Sequence, residues 1–231
     1  MQIKTLGLIG GTSWVSTIDY YRIINSQVNK KLGGLNSARL LLYSVNFAEF
    51  LPPTDDAGWE RITKSFTDIA LKLQTGGAQG LIICANTPHM IADKVQQGIQ
   101  IPLIHIATAT AAEIVKQKIK TVGLLGTKIT MEQSFFTDKL SQAGIKTLVP
   151  NDAEREFIHS SIFNELTREI FTEETRQGYI AIIKKLIDKG AEGIILGCTE
   201  IPLLLQPGDC PVPAFDTTLI HATAAVEFAL G

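Results

Sequence analysis

The sequence predicts an α/β protein of two pseudosymmetric lobes, each a parallel-type sheet flanked by helices, on three observations. The phrase Gly77-Ala78-Gln79-Gly80-Leu81-Ile82-Ile83 returns as Gly190-Ala191-Glu192-Gly193-Ile194-Ile195-Leu196, a shift of 113 residues if Gly80 is laid on Gly193. Gly7-Leu8-Ile9-Gly10 returns as Gly123-Leu124-Leu125-Gly126, a shift of 116. Short apolar runs alternate throughout with stretches of helical periodicity, which argues for parallel sheets covered by helices. The repeat is much longer than a solenoid unit, so it signals two similar lobes and not an array. The expected division is 1–107 with 216–231 for the first lobe, and 108–215 for the second.

Composition narrows the function classes. A chain of 231 residues with 45% hydrophobic residues can bury one large or two modest cores, and the repeat favours two. The formal net charge of −2 and the lack of a basic run give no electrostatic reason to expect nucleic acid or an anionic membrane, leaving small molecules or other proteins as partners. Three cysteines argue against a disulfide framework and fit a reducing, cytoplasmic compartment. The apolar run between Met1 and Gly11 is too short for a signal-peptide core or a membrane span.

Taken in order, Ile3 to Ile9 reads as the first strand, and Gly10-Gly11-Thr12-Ser13 as a turn into a helix carrying Tyr20, Ile23, Ile24 and Val28. Glycines let backbone approach a ligand, and a helix start offers unpaired N–H groups to a carboxylate. A turn that merely needs room to pack is the alternative. Neither G-x-G-x-x-G nor G-K-[ST] is present, so no dinucleotide or phosphate loop is expected. Arg39 to Val45 is a second strand. Asn46 to Trp59, with Pro52, Pro53, Asp55, Asp56 and Gly58, is too rich in breakers for regular structure and could serve as a lid. The stripe Ile62, Phe66, Ile69, Ala70 and Leu73 marks the core face of the next helix.

After the Gly-Ala-Gln-Gly strand come a helix from near Thr87, a short strand at Pro102 to Ile106 and an alanine-rich helix to about Lys118. Thr121 to Leu125 opens the second lobe, with Gly126-Thr127 as its turn. A helix over Gln133 to Gln142, a strand at Lys146 to Val149, and helices over Glu154 to Glu169 and Glu173 to Lys189 lead to the second Gly-Ala-Glu-Gly strand. The last helix starts at Asp216-Thr217, either of which would cap it.

The chemistry-bearing residues fall where strands end, which is where open α/β sheets bind ligands. Cys198 follows the Gly193 strand and precedes Thr199 and Glu200, whose N–H groups would lower its pKa and give thiolate at neutral pH. A thiolate can attack carbon or remove a proton; the plain alternative is a small buried hydrophobe. Cys84 stands one residue out of register with Cys198, facing Gly197 in the repeat, and Ala85 faces Cys198. Cys210 lies in a Pro-Gly-Asp-Cys-Pro loop and is read as incidental. His89 and His221 lie near strand ends; an Asp216/His221 arrangement with Cys198 would permit a Cys-His hydrolase in principle, although a lone helix histidine is more often a packing residue. No metal-ligand spacing such as C-x-x-C or H-E-x-x-H occurs.

Gly10-Gly11-Thr12-Ser13, Asn86-Thr87-Pro88-His89, Gly197-Cys198-Thr199-Glu200-Ile201 and Phe215-Asp216-Thr217-Thr218 to His221, in that order, resemble the aspartate/glutamate racemase family over essentially the whole chain. The Gly-Gly-x-Ser-Trp start, here with Trp14, is similar to the broad-specificity amino-acid racemase branch. The resemblance implies a homodimeric isomerase that inverts an amino-acid Cα with no pyridoxal phosphate, metal or other cofactor. It implies an active site in the cleft between the lobes, where two bases face opposite sides of the substrate. Cys198 matches the second base. Gly11, Thr12, Ser13, Asn86, Thr87, Thr199 and Glu200 would hold the substrate carboxylate and the carbanion, with Ala85 and Thr127 as further contacts.

The chain departs from that pattern at three places. Ala85 stands directly before Asn86-Thr87, where the family carries a cysteine or threonine base, and a methyl group cannot carry a proton. Thr54 falls near the basic residue with which dicarboxylate-specific members grip a side-chain carboxylate, and Phe157 where a lysine is usual. A lost cation–carboxylate hydrogen bond costs about 1.5–3 kcal/mol, so aspartate and glutamate are not singled out as substrates. Two alternatives remain open: a decarboxylase or lyase that protonates one face of a planar intermediate with a single cysteine, and an inactive relative that binds a carboxylate.

Overall fold

The computed structural model describes residues 3–53 and 55–231, and the chain folds as two compact units, Met1–His105 with His221–Gly231, and Ile106–Ile220.

In the first unit β1 (Leu6–Gly10) is followed by α1 (Trp14–Leu32), β2 (Leu40–Ser44), α2 (Asp56–Thr75), β3 (Gly80–Ile83) and the short α3 (Ala92–Gln97). The sheet order is β2-β1-β3, all parallel, with Leu6 opposite Leu40 and Gly80. Strand alternation divides its two faces. Leu6, Leu8, Ile82 and Cys84 join Tyr20, Ile24 and Val28 in one cluster. Ile9, Leu81 and Ile83 join Ile62, Phe66, Ile69, Ala70 and Leu73 in another, so the apolar stripe of α2 is core, as its periodicity predicted.

The second unit runs α4 (Ile106–Lys116), β4 (Thr121–Gly126), α5 (Lys128–Glu132), α6 (Ser134–Gln142), β5 (Lys146–Leu148), α7 (Asp152–Asn164), α8 (Glu173–Asp188), β6 (Gly193–Gly197), α9 (Ile201–Leu204) and β7 (Ala214–Asp216). Its parallel sheet has the order β5-β4-β6-β7. Asn151 and Glu154 form a capping box at the start of α7, each side chain bonding the other's backbone N–H at 3.0 Å. The last helix, α10 (Thr217–Leu230), begins in this unit and ends in the first. Asp216 caps it by accepting from the N–H groups of Thr218 and Leu219.

Several boundaries differ from the sequence reading. The segment expected to be irregular to Trp59 ends sooner, because the Asp55 carboxylate accepts from Gly58 N–H at 2.8 Å and starts α2 at Asp56. Part of the proposed lid is therefore the first turn of a helix. Pro102 to Ile106 contributes only a bridge between Leu103 and Leu81, since Pro102 lacks a ladder donor. The three-residue β7, just before α10, is too short to show a period in the sequence. Among the described residues no helix is long and apolar enough to cross a membrane.

Candidate active site

Each sheet reverses its winding beside its first strand, and in each unit polar residues singled out in the sequence flank that point. In the first unit α1 leads from β1 to β2 on one side, and the chain then returns to place β3 on the other. The crevice at the carboxyl ends of β1 and β3 is the topological switch point, the expected ligand position in such a sheet. It is flanked by the Gly11-Thr12-Ser13 turn and by Ala85-Asn86-Thr87. In the second unit the equivalent point lies between β4 and β6, flanked by Thr127 and by Cys198-Thr199-Glu200.

The turn after β1 is held tightly. Gly11 has φ +91° and hydrogen-bonds through its N–H to the Thr17 hydroxyl at 2.9 Å; a Cβ there would meet the Val45 carbonyl oxygen. Thr17 also donates to Ser13 O, and Ser16 donates to the Cys84 carbonyl at 2.5 Å. Ser16 and Thr17, buried polar residues in the first turn of α1, went unnoticed in the sequence. Hydroxyls there, where a core stripe begins, are the signal that could have found them. Thr12 and Ser13 are buried, and Thr12 Oγ1 has no hydrogen-bond partner among the described residues.

The strand-end pairing fixes the equivalence of Ala85 and Cys198. Ile9 pairs with Ile83 and Leu125 with Leu196; two residues further on stand Ala85 and Cys198. Cys84 takes the place of Gly197, and its side chain shares the Ile82 face, sealed among Leu8, Tyr20 and Ala222. Burial pushes its thiol far above the ordinary range. A tight turn, with Ala85 N–H bonded to Ile83 O at 2.9 Å, ends the strand there, so Cys84 is a packing residue of this unit. Ala85 and Asn86 are buried and Thr87 is half-buried in the following 3₁₀ turn.

His89 and His221 are neutral core histidines. His89 Nδ1–H donates to Ala85 O at 2.8 Å, and burial holds its pKa well below the usual value, reinforced by His105 and His221. His221 Nε2–H donates to Ile104 O at 2.7 Å, which leaves Nδ1 to accept from the Tyr20 hydroxyl at 2.7 Å. With both nitrogens engaged inside the first unit, His221 is held as a packing group and not as a base for a Cys-His hydrolase.

Cys198 lies one residue beyond β6 and keeps 9% exposure. Gly126 and Gly197 bring the two strand ends together: a Cβ on Gly197 would lie 2.7 Å from Leu125 O. The thiol donates to Glu200 Oε2 at 3.0 Å, and the Thr199 hydroxyl donates to the same oxygen at 2.6 Å. The expectation of a lowered pKa is overturned. Burial raises the Cys198 pKa well above its ordinary value and the Glu200 carboxylate raises it further, outweighing the backbone N–H groups of Glu200 and Thr199. The helix behind it, α9, has only four residues, too few to build a strong terminal dipole.

Thr127 is buried at the start of α5, accepting from Thr130 N–H at 3.3 Å. Thr54 lies outside the described residues. Phe157 lies over Gly178, where a Cβ would come 2.4 Å from the ring, and beside Tyr179; it packs α7 on α8. Cys210 is half-buried in a loop tied to α8 by the Arg176–Asp209 ion pair. Among the described residues no three His, Cys, Asp or Glu side chains are grouped to hold a metal ion.

Known proteins resemble this chain over nearly all of its length. The family model described as Asp/Glu/Hydantoin racemase matches residues 9–225. The broad specificity amino-acid racemase RacX of Bacillus subtilis (strain 168) is 22% identical, with 96% of each chain covered. A candidate Asp/Glu racemase from Yersinia pestis is 46% identical, with a TM-score of 0.93 over 99% of this chain and 100% of that one. An aspartate racemase homologue from Pyrococcus horikoshii OT3 is 36% identical, with a TM-score of 0.86 over 99% and 100%. Two parallel α/β sheets, a polar switch point on each and a family match from the first strand to the last helix agree: this chain belongs to the Asp/Glu/hydantoin racemase family.

Proposed function

We propose that the chain is a PLP-independent amino-acid racemase of the aspartate/glutamate racemase type, in which Cys198 carries the proton to and from Cα. The observation that supports this most is the position of Cys198: a sulfur at the β4/β6 switch point, hydrogen-bonded to an acidic side chain. Gly11, Thr12, Ser13, Asn86, Thr87, Thr127 and Thr199 are the substrate-binding group in this reading. Backbone N–H groups of the β1 turn suit a carboxylate, and donors near the α-carbon stabilise the enolate-like carbanion. The substrate is an amino acid not restricted to aspartate or glutamate, since Phe157 packs against Gly178 where a lysine would serve a second carboxylate. Free cysteines suit a cytoplasmic setting, and the family resemblance suggests a homodimer.

A second reading is favoured by one observation. Ala85 bears no proton and Cys84 is packed in an apolar cluster, which leaves one sulfur for proton transfer. A single acid suffices for a decarboxylase, which protonates one face of a planar intermediate.

Incubation of the protein in D₂O with L- and D-amino acids, following Cα deuteration by NMR and optical rotation, separates these readings. Deuteration of amino acids supports proton transfer at Cα, with inversion marking a full racemase. No exchange with any amino acid, together with turnover of a disubstituted malonate, would replace the first reading by the second.

A further inference from the structure

The turn after β3 leaves one carbonyl to be satisfied by a side chain. Asn86 already has helical dihedrals, φ −76° and ψ −55°, and the 3₁₀ turn Thr87–Ile91 continues from it. In such a turn Ala85 O would accept from the N–H three residues on, but that residue is Pro88, which has none. The His89 N–H is spent on Asn86 O at 3.0 Å. What reaches Ala85 O is the His89 ring, through Nδ1 at 2.8 Å. A carbonyl only accepts, so the proton of the neutral ring is on Nδ1. Nε2 is then a bare lone pair, buried with no hydrogen-bond partner among the described residues. The ring is clamped where it stands: it meets His105 at 4.8 Å and His221 at 5.3 Å between centroids, both edge-on, and His221 is itself held by Tyr20 and Ile104 O. An unpartnered buried nitrogen costs free energy, so what the ring contributes lies with its other nitrogen.

Resting on Ala85-Asn86-Thr87 as part of the substrate-binding group, we propose that His89 is a positioning residue for the substrate: its Nδ1–H stands in for the N–H that Pro88 lacks, fixes the Ala85–Asn86 peptide plane and so orients the Asn86-Thr87 pair that meets the amino acid. In a trans peptide the C=O and the following N–H point in opposite directions, so holding Ala85 O against the ring directs the Asn86 N–H away from it. Three consecutive carbonyls are held: Cys84 O by the Ser16 hydroxyl, Ala85 O by the His89 ring and Asn86 O by the His89 N–H. The Ala85 N–H, bonded to Ile83 O at 2.9 Å, fixes the plane before them. A turn set in advance binds the substrate and the transition state alike, so losing it raises KM and spares kcat.

Three proteins test this: wild type, His89→Leu, which keeps bulk but loses the donor, and His89→Asn, whose Nδ2 can take the place of Nδ1. Kinetics of Cα deuteration should show KM raised at least about fivefold in His89→Leu with kcat within about threefold, and KM back within about twofold of the wild type in His89→Asn. A smaller rise in His89→Leu, a loss carried by kcat instead, or a His89→Asn no better than His89→Leu overturns the inference. Long-range ¹⁵N–¹H correlation on the wild type reads the ring at neutral pH: a proton on Nδ1 and none on Nε2 is expected, and a proton on Nε2 overturns it. That measurement needs no variant and decides even where His89→Leu does not fold. A wild type that exchanges no amino acid defeats the proposed reaction instead. Amide hydrogen exchange then decides on His89 alone: in His89→Leu the amides of residues 85 and 89 should exchange at least about tenfold faster while that of Leu8 in β1 stays within about twofold, and equal rates, or a rise shared by Leu8, overturn the inference.

Discussion

Ala85 and Cys198 occupy the same position in the two sheets, each two residues beyond the strand residue that pairs with the penultimate residue of the first strand. One carries a methyl group and the other a thiol. Under the proposed racemase reading, in which each of the two sheets offers one base, Ala85→Cys is expected to raise inversion relative to Cα exchange by at least about tenfold. Chiral chromatography of a D₂O incubation measures both. A ratio equal to the wild type's would show that Ala85 is not the missing base.

Cys84 is predicted to matter for packing and not for chemistry. Cys84→Ala should cost about 1 kcal/mol, the loss of a small buried group. Cys84→Ser should cost about 1–3 kcal/mol, because a hydroxyl would be buried in an apolar cluster. Urea unfolding gives the two values, and Cα exchange should stay within about twofold in Cys84→Ala.

Acid should destabilise the first unit through its histidines. The folded pKa of His221 lies at about 4, lowered mainly by burial, against 6.5 when unfolded. The unfolded chain therefore binds a proton that the folded one refuses. Stability is fully present above pH 6.5 and falls as pH drops toward 4, by about 3 kcal/mol for this group alone. His89 shifts in the same direction. Urea midpoints should decline between pH 7.5 and 4.5, and less steeply in His221→Gln, where the His89 contribution remains; a wild type with no slope in that window would contradict the assignment.

Gly11→Ala should destabilise by about 2 kcal/mol or more, because φ is +91° and the new methyl would press on Val45 O. Thermal unfolding checks the cost, and a substitution tolerated without loss would mean that the turn relaxes.

How much of this was legible in the sequence depends on where each signal came from. Parallel strands buried on both faces, such as Leu6–Gly10 and Gly193–Gly197, announce themselves as apolar runs bounded by glycine. The repeat also held, residue for residue, in the strand pairing, which is why Cys198 and Ala85 could be matched by position. The ionisation of Cys198 was misread, since local sequence names the N–H groups that follow a thiol but not how deeply it is buried or where Glu200 turns its carboxylate. The neutral state of His221 was equally hidden, because its partners Tyr20 and Ile104 are 201 and 117 residues away.

Whether the Cys198 sulfur moves the proton at Cα is decided by Cα deuteration with Cys198→Ala beside the wild type. Exchange is expected in the wild type, with a fall of at least about 100-fold in a folded Cys198→Ala. Exchange persisting at the wild-type rate without that sulfur would contradict it.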